Sequence, residues 1–241
     1  MESNYKSYAY IESIRRLTSI LDQSDVNYIE TDSLPNRDKL TFSNGFYANC
    51  SALFIDIRDS SSLPNKYKRP KLARLYRAFI SECVAVMNGD VKCREISVAG
   101  DGVWSIINTP QKVDIDGVFS TACRLNALID ILNCRLLRRE FEPIKVGIGM
   151  SWGRALMIKA GYSGSGINDV VYMGDVVNEA AKLASWGQQN WGDSVQMVSS
   201  SFHYNLNDHN KGLLSWNSAR QCYHGNAVNT PMHDWYRENC Q

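Results

Sequence analysis

The stretch Val91-Lys-Cys-Arg-Glu-Ile-Ser-Val-Ala-Gly-Asp-Gly-Val-Trp-Ser-Ile-Ile-Asn-Thr109 contains two strand-like runs, Val91–Val98 and Val103–Ile107, joined by Ala99-Gly-Asp-Gly102. Asp-Gly between apolar runs signals a hairpin, because both residues accept the backbone of a tight turn. Upstream, residues 49–57 read as a strand. Leu53, Phe54, Ile55 and Ile57 put apolar side chains on both of its faces, as in a central strand of a covered sheet. Between strand and hairpin, Pro70 fits a first helical turn, and Leu72, Leu75, Tyr76, Phe79, Ile80, Cys83, Val86 and Met87 follow helical spacing up to Asn88-Gly-Asp90.

Downstream the pattern repeats. A helix is expected from Val113 to Arg139, with Val118, Ala122, Leu125, Ile129 and Leu132 on one face, and Pro143 introduces a strand at Ile144–Met150. The order β-α-β-β-α-β predicts an α+β fold with a ferredoxin-like βαββαβ core. A C-terminal extension follows: strands at Arg154–Ala160 and Val170–Met173 around Gly161-Tyr-Ser-Gly-Ser-Gly-Ile-Asn-Asp169, a helix at Asp175–Trp186 and a short strand at Val195–Ser199. Residues 5–30 carry a helix-like pattern (Tyr10, Ile14, Leu17, Ile20, Leu21), and Ser24 to Asn44 reads as a polar connector. The expected division is a helix and connector over 1–44 and one catalytic domain over 45–241.

With 241 residues, 44% hydrophobic, 21% charged and a net charge of +1, the composition is that of a soluble globular protein and argues against a nucleic-acid binder. The densest basic run, Lys66-Tyr-Lys-Arg-Pro-Lys71, opens a helix; a solvated face explains it as well as a phosphate patch does. No apolar run approaches the roughly 18 residues of a membrane span, and the N-terminus lacks a signal-peptide core. The seven cysteines (Cys50, Cys83, Cys93, Cys123, Cys134, Cys222, Cys240) form no Cys-x-x-Cys, so reduced thiols in a cytoplasmic protein are expected. The histidines show no zinc-ligand spacing.

Asp56 ends an apolar run. Taken alone it reads either as a helix cap or as a metal ligand. Asp101 sits in the hairpin turn, where Asp needs no function. In this strand order, however, the two carboxylates can converge. Without a basic residue beside them they would repel each other, a cost that divalent cations relieve. The turn Asp59-Ser60-Ser61-Ser62 leads toward a helix and can offer backbone N–H groups to phosphates. Val146-Gly-Ile-Gly-Met-Ser-Trp-Gly153 is one residue too long for a dinucleotide fingerprint and lacks its acidic partner. Asn178 and Lys182, four residues apart, share a helix face opposite Ala180, Ala181 and Ala184; spacing alone makes that a solvated face.

Four segments together resemble the class III nucleotide cyclases, the adenylate and guanylate cyclase family. Phe54-Ile-Asp-Ile-Arg-Asp-Ser60 matches F-x-D-I-x-x-[FS]. Val98-Ala-Gly-Asp-Gly-Val-Trp104 matches [IV]-x-G-D-x-[YVW]. Val146–Gly153 matches V-G-I-G-x-x-x-G, and Gly174-Asp-Val-Val-Asn-Glu-Ala-Ala-Lys182 matches G-[ND]-x-V-N-x-A-[AS]-[RK]. The resemblance implies that Asp56, Asp101 and the Ile57 carbonyl hold two divalent ions, Mn²⁺ or Mg²⁺. It also implies an antiparallel homodimer with sites at the interface, one chain giving the metal half and the other giving Asn178 and Lys182. Lys182 stands where the family usually has Arg.

Two departures concern the base. Ser97 replaces the Lys or Glu by which adenylate and guanylate cyclases read their purine, and Val171 replaces an Asp or Cys. The chain therefore looks most like the bacterial pyrimidine cyclases of Pycsar anti-phage defence. UTP is expected ahead of CTP as substrate, with cyclic UMP as the second messenger for a separate effector. The alternatives are a cytidylate cyclase, a divergent adenylate or guanylate cyclase, and a silent nucleotide-binding regulator. Tyr47 is a candidate to meet the base. Arg94 is another, although strict alternation puts it opposite Ser97 unless the strand bulges. Arg220 and His224 are candidates for the triphosphate end.

Overall fold

The computed structural model describes residues 2–240. Helices are α1 (Tyr10–Leu21), α2 (Leu63–Lys66), α3 (Arg69–Asn88), α4 (Lys112–Leu137), α5 (Asp175–Trp186), α6 (Ser200–Asn205), α7 (Asp208–Gly212) and α8 (Thr230–Cys240). Strands are β1 (Tyr28–Glu30), β2 (Gly45–Ile57), β3 (Cys93–Ala99), β4 (Gly102–Asn108), β5 (Val146–Tyr162), β6 (Ile167–Met173), β7 (Gln196–Val198), β8 (Ser215–Asn217) and β9 (Cys222–Gly225). They form two compact units: one of the chain up to Asn49 with Arg154–Gly174, the other of Cys50–Gly153 with the chain from Asp175 onward.

In the larger unit β3-β4-β2-β5 lie side by side, extended by β7, β9 and β8. That is the spatial order of a βαββαβ core: second, third, first, fourth strand. The expected fold class is therefore observed. Leu75, Phe79, Cys83 and Met87 recur every fourth residue of α3, and Val118, Ala122, Leu125 and Ile129 line α4. Both faces pack on Leu53, Ile55 and Ile57 of β2, with Val103 and Ile107 of β4. The hairpin turns at Gly100 and Asp101, with Ala99 paired to Gly102. Gly100 takes the left-handed backbone (φ +64), as a Gly-first two-residue turn requires.

Gly147 and Gly149 of β5 explain the Val-Gly-Ile-Gly segment. A Cβ at Gly147 would lie 2.0 Å from the Ala184 carbonyl oxygen, and one at Gly149 2.1 Å from that of Ala180. The two glycines let α5 rest directly on the strand backbone; they cradle a helix and not a dinucleotide.

In the smaller unit β1 pairs in parallel with Gly45–Tyr47 of β2, and β6 pairs antiparallel with Leu156–Tyr162 of β5. The helix expected over 5–30 is confined to α1, which buries none of its residues. It ends at Asp22; Ser24 then caps a 3-10 turn, Asp25–Asn27, by accepting the Val26 N–H, and Tyr28–Glu30 pairs with the edge of β2. The strands expected at Ile144–Met150 and Arg154–Ala160 are one continuous strand, β5, which Gly153 does not interrupt.

The cysteine expectation needs one correction. Packing of α8 on α4 brings the Cys134 and Cys240 Cα atoms to 5.8 Å, and the pair forms a disulfide. The other five are free thiols. Burial pushes the thiols of Cys50 and Cys83 up to about 12, so they are inert at neutral pH.

Candidate active site

Strand β2 alternates. Leu53, Ile55 and Ile57 enter the helix-covered core, while Phe54 and Asp56 face the other side. There the Phe54 ring stacks on Trp104 of β4, centroids 5.2 Å apart and planes 4° from parallel. Trp104 is in turn paired with Ser97 of β3. Asp56 follows in the same row beside the hairpin tip, its Oδ1 lying 3.4 Å from where a Cβ would stand on Gly102. Glycine there leaves room around the carboxylate.

The hairpin brings Asp101 against Asp56. Burial, and after it the charge of Asp101, hold the Asp56 carboxyl above the usual carboxylate range, while Arg58 pulls the other way. Asp101 Oδ2 is buried and has no hydrogen-bond partner among the described residues. An unpaired buried carboxylate oxygen is costly, and native structures rarely keep one without a purpose. Two hard oxygen donors facing each other suit a divalent cation such as Mg²⁺ or Mn²⁺. Among the described residues no group of three or more His, Cys, Asp or Glu could hold a metal ion. Further ligands must therefore be carbonyls such as that of Ile57, water or substrate phosphates. The residues fit such an ion.

One expectation is overturned: the pair does have a basic neighbour. Arg58 Nη2 donates to Asp56 Oδ2 at 2.8 Å, and Nη1 donates to the Ser185 carbonyl of α5 at 2.6 Å. The Arg58 side chain is only 12% exposed. It satisfies one oxygen of Asp56 and leaves the other for the hairpin side. Sequence reasoning missed this residue, which stands in the turn just past the end of β2 and finds its second partner 127 residues away.

Asp59 takes a left-handed backbone (φ 54) and starts a single 3-10 turn, Ser60–Ser62. Its carbonyl accepts the Ser62 N–H at 2.9 Å and the Ser62 hydroxyl at 2.8 Å. A left-handed residue followed by a right-handed turn gathers successive N–H groups into a concavity suited to anions.

On α5, Val176, Ala180, Leu183 and Ala184 are buried, while Asn178 and Lys182 are exposed. The Lys182 ammonium lies 4.9 Å from the Trp186 ring centroid. Next to Asn178, Glu179 accepts the Ser151 hydroxyl at 2.5 Å, which pins the exposed stretch to β5.

For the base candidates, the β3–β4 register jumps from Cys93–Ile107 to Glu95–Ile106, so β3 bulges at Arg94 as the alternation argument required. Tyr47 and Val171 belong to the smaller unit. The Arg154 guanidinium covers the Tyr47 ring at 4.0 Å and pairs with Glu30, while Val171 is exposed on β6. Arg220, a triphosphate candidate, is committed elsewhere: Nη2 donates to Asp193 Oδ2 at 2.8 Å and to Gln189 at 3.0 Å. His224 lies on β9, its Nδ1 buried without a partner among the described residues.

The family model described as the adenylate and guanylate cyclase catalytic domain matches residues 43–214. A protein of Gulbenkiania mobilis named uridylate cyclase is 37% identical over 99% of this chain and 100% of its own. One of Treponema porcinum with the same name is 37% identical over 95% of this chain and 80% of its own. The crystal structure of the adenylyl cyclase CyaB from P. aeruginosa superposes with a TM-score of 0.60 at 16% identity, over 71% of this chain and 85% of that one; this shows a shared fold.

Proposed function

For a chain that belongs to the adenylate and guanylate cyclase catalytic domain family, and is therefore a nucleotide cyclase, we propose that the substrate is UTP and the product 3′,5′-cyclic UMP. The observation that carries the chemistry is the Asp56–Asp101 pair with its unpartnered buried oxygen. The choice of UTP is supported by the two nearly full-length relatives named uridylate cyclase. It is also supported by Ser97 and Val171, which offer a purine neither charge nor amide.

Asp56, Asp101 and the Ile57 carbonyl are the residues to hold two divalent ions, Mg²⁺ or Mn²⁺. Bound there, such ions supply Lewis acidity that lowers the pKa of the ribose 3′-hydroxyl and offsets the charge of the triphosphate. The 3′-oxygen attacks the α-phosphorus. A new O–P bond forms, the bond to the bridging oxygen breaks, and pyrophosphate leaves with its electron pair while the hydroxyl proton passes to solvent. The Asp59-Ser60-Ser61 turn offers N–H groups to the phosphates. A second copy of the chain supplies Asn178 and Lys182, the lysine meeting the charge that develops on the α-phosphate. Lys keeps the charge of the usual Arg and gives up its two-pronged grip. Arg94 is proposed to meet the pyrimidine edge, with Ser97 on the same strand leaving it room. In this reading the protein works in the cytoplasm and its product activates a separate anti-phage effector.

The test is one incubation with ATP, GTP, CTP and UTP together and Mn²⁺, with the cyclic products separated by chromatography. Cyclic UMP as the main product, lost in Asp56→Ala, is expected. Cyclic CMP or a purine product would refute the assignment of UTP, and no product with any triphosphate would turn the reading to a nucleotide-binding regulator.

A further inference from the structure

The basic run Lys66–Lys71 plays no part in the site above. In the folded chain it meets a second basic cluster. Leu75 of α3, Leu132 and Leu136 of α4, and Phe141 form the floor of a cleft of about 380 Å³. Its charged rim is Arg74, Arg135 and Arg139, with no acidic residue among the lining groups. Arg74 is shared with an adjoining cleft of about 500 Å³ lined by Lys66, Lys68, Lys71 and Glu140, where Lys66 Nζ is paired with Glu142 at 2.6 Å. The first cleft lies between α3 and the end of α4, whose apolar faces pack on the opposite side of β2 from Phe54 and Asp56; the second lies at the start of α3.

A chain with a net charge of +1 thus sets three arginines around one apolar hollow, with Lys68 and Lys71 in the cleft next to it. A merely solvated face needs no such hollow, and an apolar pocket needs no such rim. Together they select a ligand that is both anionic and apolar. Nucleic acid fits poorly. Phe141 is buried in the floor and the Tyr67 ring packs tilted against it, centroids 5.3 Å apart, so the cleft presents no stacking platform for bases. The floor of the first cleft is apolar, mostly leucine, and its volume suits one or two large side chains.

We propose that this cleft docks an acidic segment of a partner protein that carries one bulky apolar side chain. The apolar group enters between Leu75, Leu132, Leu136 and Phe141, and flanking carboxylates meet Arg74, Arg135 and Arg139. The surface is separate from the catalytic face, so a bound partner leaves the nucleotide site accessible.

Three fluorescein-labelled probes test this on the full chain: a peptide of Glu residues flanking one Trp, the same peptide with Ala for Trp, and polyuridylate of equal charge. The Trp peptide is expected to bind, to weaken with added salt, and to weaken about tenfold for Arg74→Glu and again for Arg139→Glu. The Ala peptide should bind at least about fivefold less well than the Trp peptide. The melting temperature and the cyclase turnover of both variants, which lie outside the catalytic machinery, should match wild type and so report an intact fold. The proposal is overturned if the Trp peptide does not bind, if charge reversal leaves its affinity unchanged, if the Ala peptide binds equally, or if polyuridylate binds more tightly.

Discussion

Two acid–base clusters in the larger unit differ in kind. Asp193 accepts from Arg220 at 2.8 Å, and its Oδ2 also takes the Asn190 N–H at 2.9 Å. The Arg220 side chain bonds hold the Asp193 carboxyl below the usual carboxylate range, and Asp193 in turn raises Arg220. Every charge there is answered from within the chain. Around Asp56 and Asp101 the balance is reversed: like charges are pressed together, one carboxyl is raised, and one buried oxygen is left open. A completed cluster holds the fold, whereas an incomplete one waits for something the chain does not contain. By this criterion Arg220, bonded to both Asp193 and Gln189, belongs with the completed cluster.

The largest effect should come from the open cluster. Asp101→Asn is expected to lower turnover by at least about 10³-fold, since it removes a charge from the ion site. Mn²⁺ binding, followed by electron paramagnetic resonance, should weaken with it; unchanged binding would mean that the oxygen is open for another reason. Packing gives the next effect. Gly149→Ala drives a Cβ into the Ala180 carbonyl, which cannot yield without moving α5, and should cost about 3 kcal/mol of stability in urea titrations. A neutral result would show that α5 can lift off β5.

The closed cluster should respond in stability alone. Asp193→Ala is expected to cost about 2 kcal/mol, with turnover per folded molecule retained. Loss of turnover without loss of stability would erase the contrast between the clusters. The smallest effect concerns pH. Because the Asp56 carboxyl is raised in the folded state, its protonation favours the metal-free fold. That contribution is present in full below the unfolded-state pKa and is lost as pH rises through the folded-state value. The carboxylate is 43% exposed, so the effect should stay below about 1 kcal/mol. It is read as the difference in melting temperature between wild type and Asp56→Asn across pH in a chelator, and a difference independent of pH would contradict it.

The core of this fold was legible because its signals are local. Helical spacing in α3 and α4, the apolar run of β2 and the Gly-Asp turn each lie within one element, and their order sets the topology. What the sequence concealed depends on distant partners. Cys134 and Cys240 are 106 residues apart, and nothing near either one announces that α8 will lie on α4. The short strands β8 and β9 are held by each other and by β7, not by their own propensity. The site divides in the same way. The convergence of Asp56 with Asp101 followed from strand order. The bulge at Arg94 was foreseen as a condition and not as a fact. The place of Arg58 was hidden because it lies past the apolar run and is fixed by Ser185, 127 residues away.

Arg58 also has a mechanical side. Its guanidinium is a flat, rigid fork, and each prong is taken: one by the Asp56 carboxylate on β2, the other by the last turn of α5. A rigid plate held at both ends transmits displacement without slack. Any slide of α5 along the strand backbone beneath it must either carry the Asp56 oxygens with it or snap one of the two bonds. One side chain thus ties the seating of α5 to the placement of the Asp56 carboxylate.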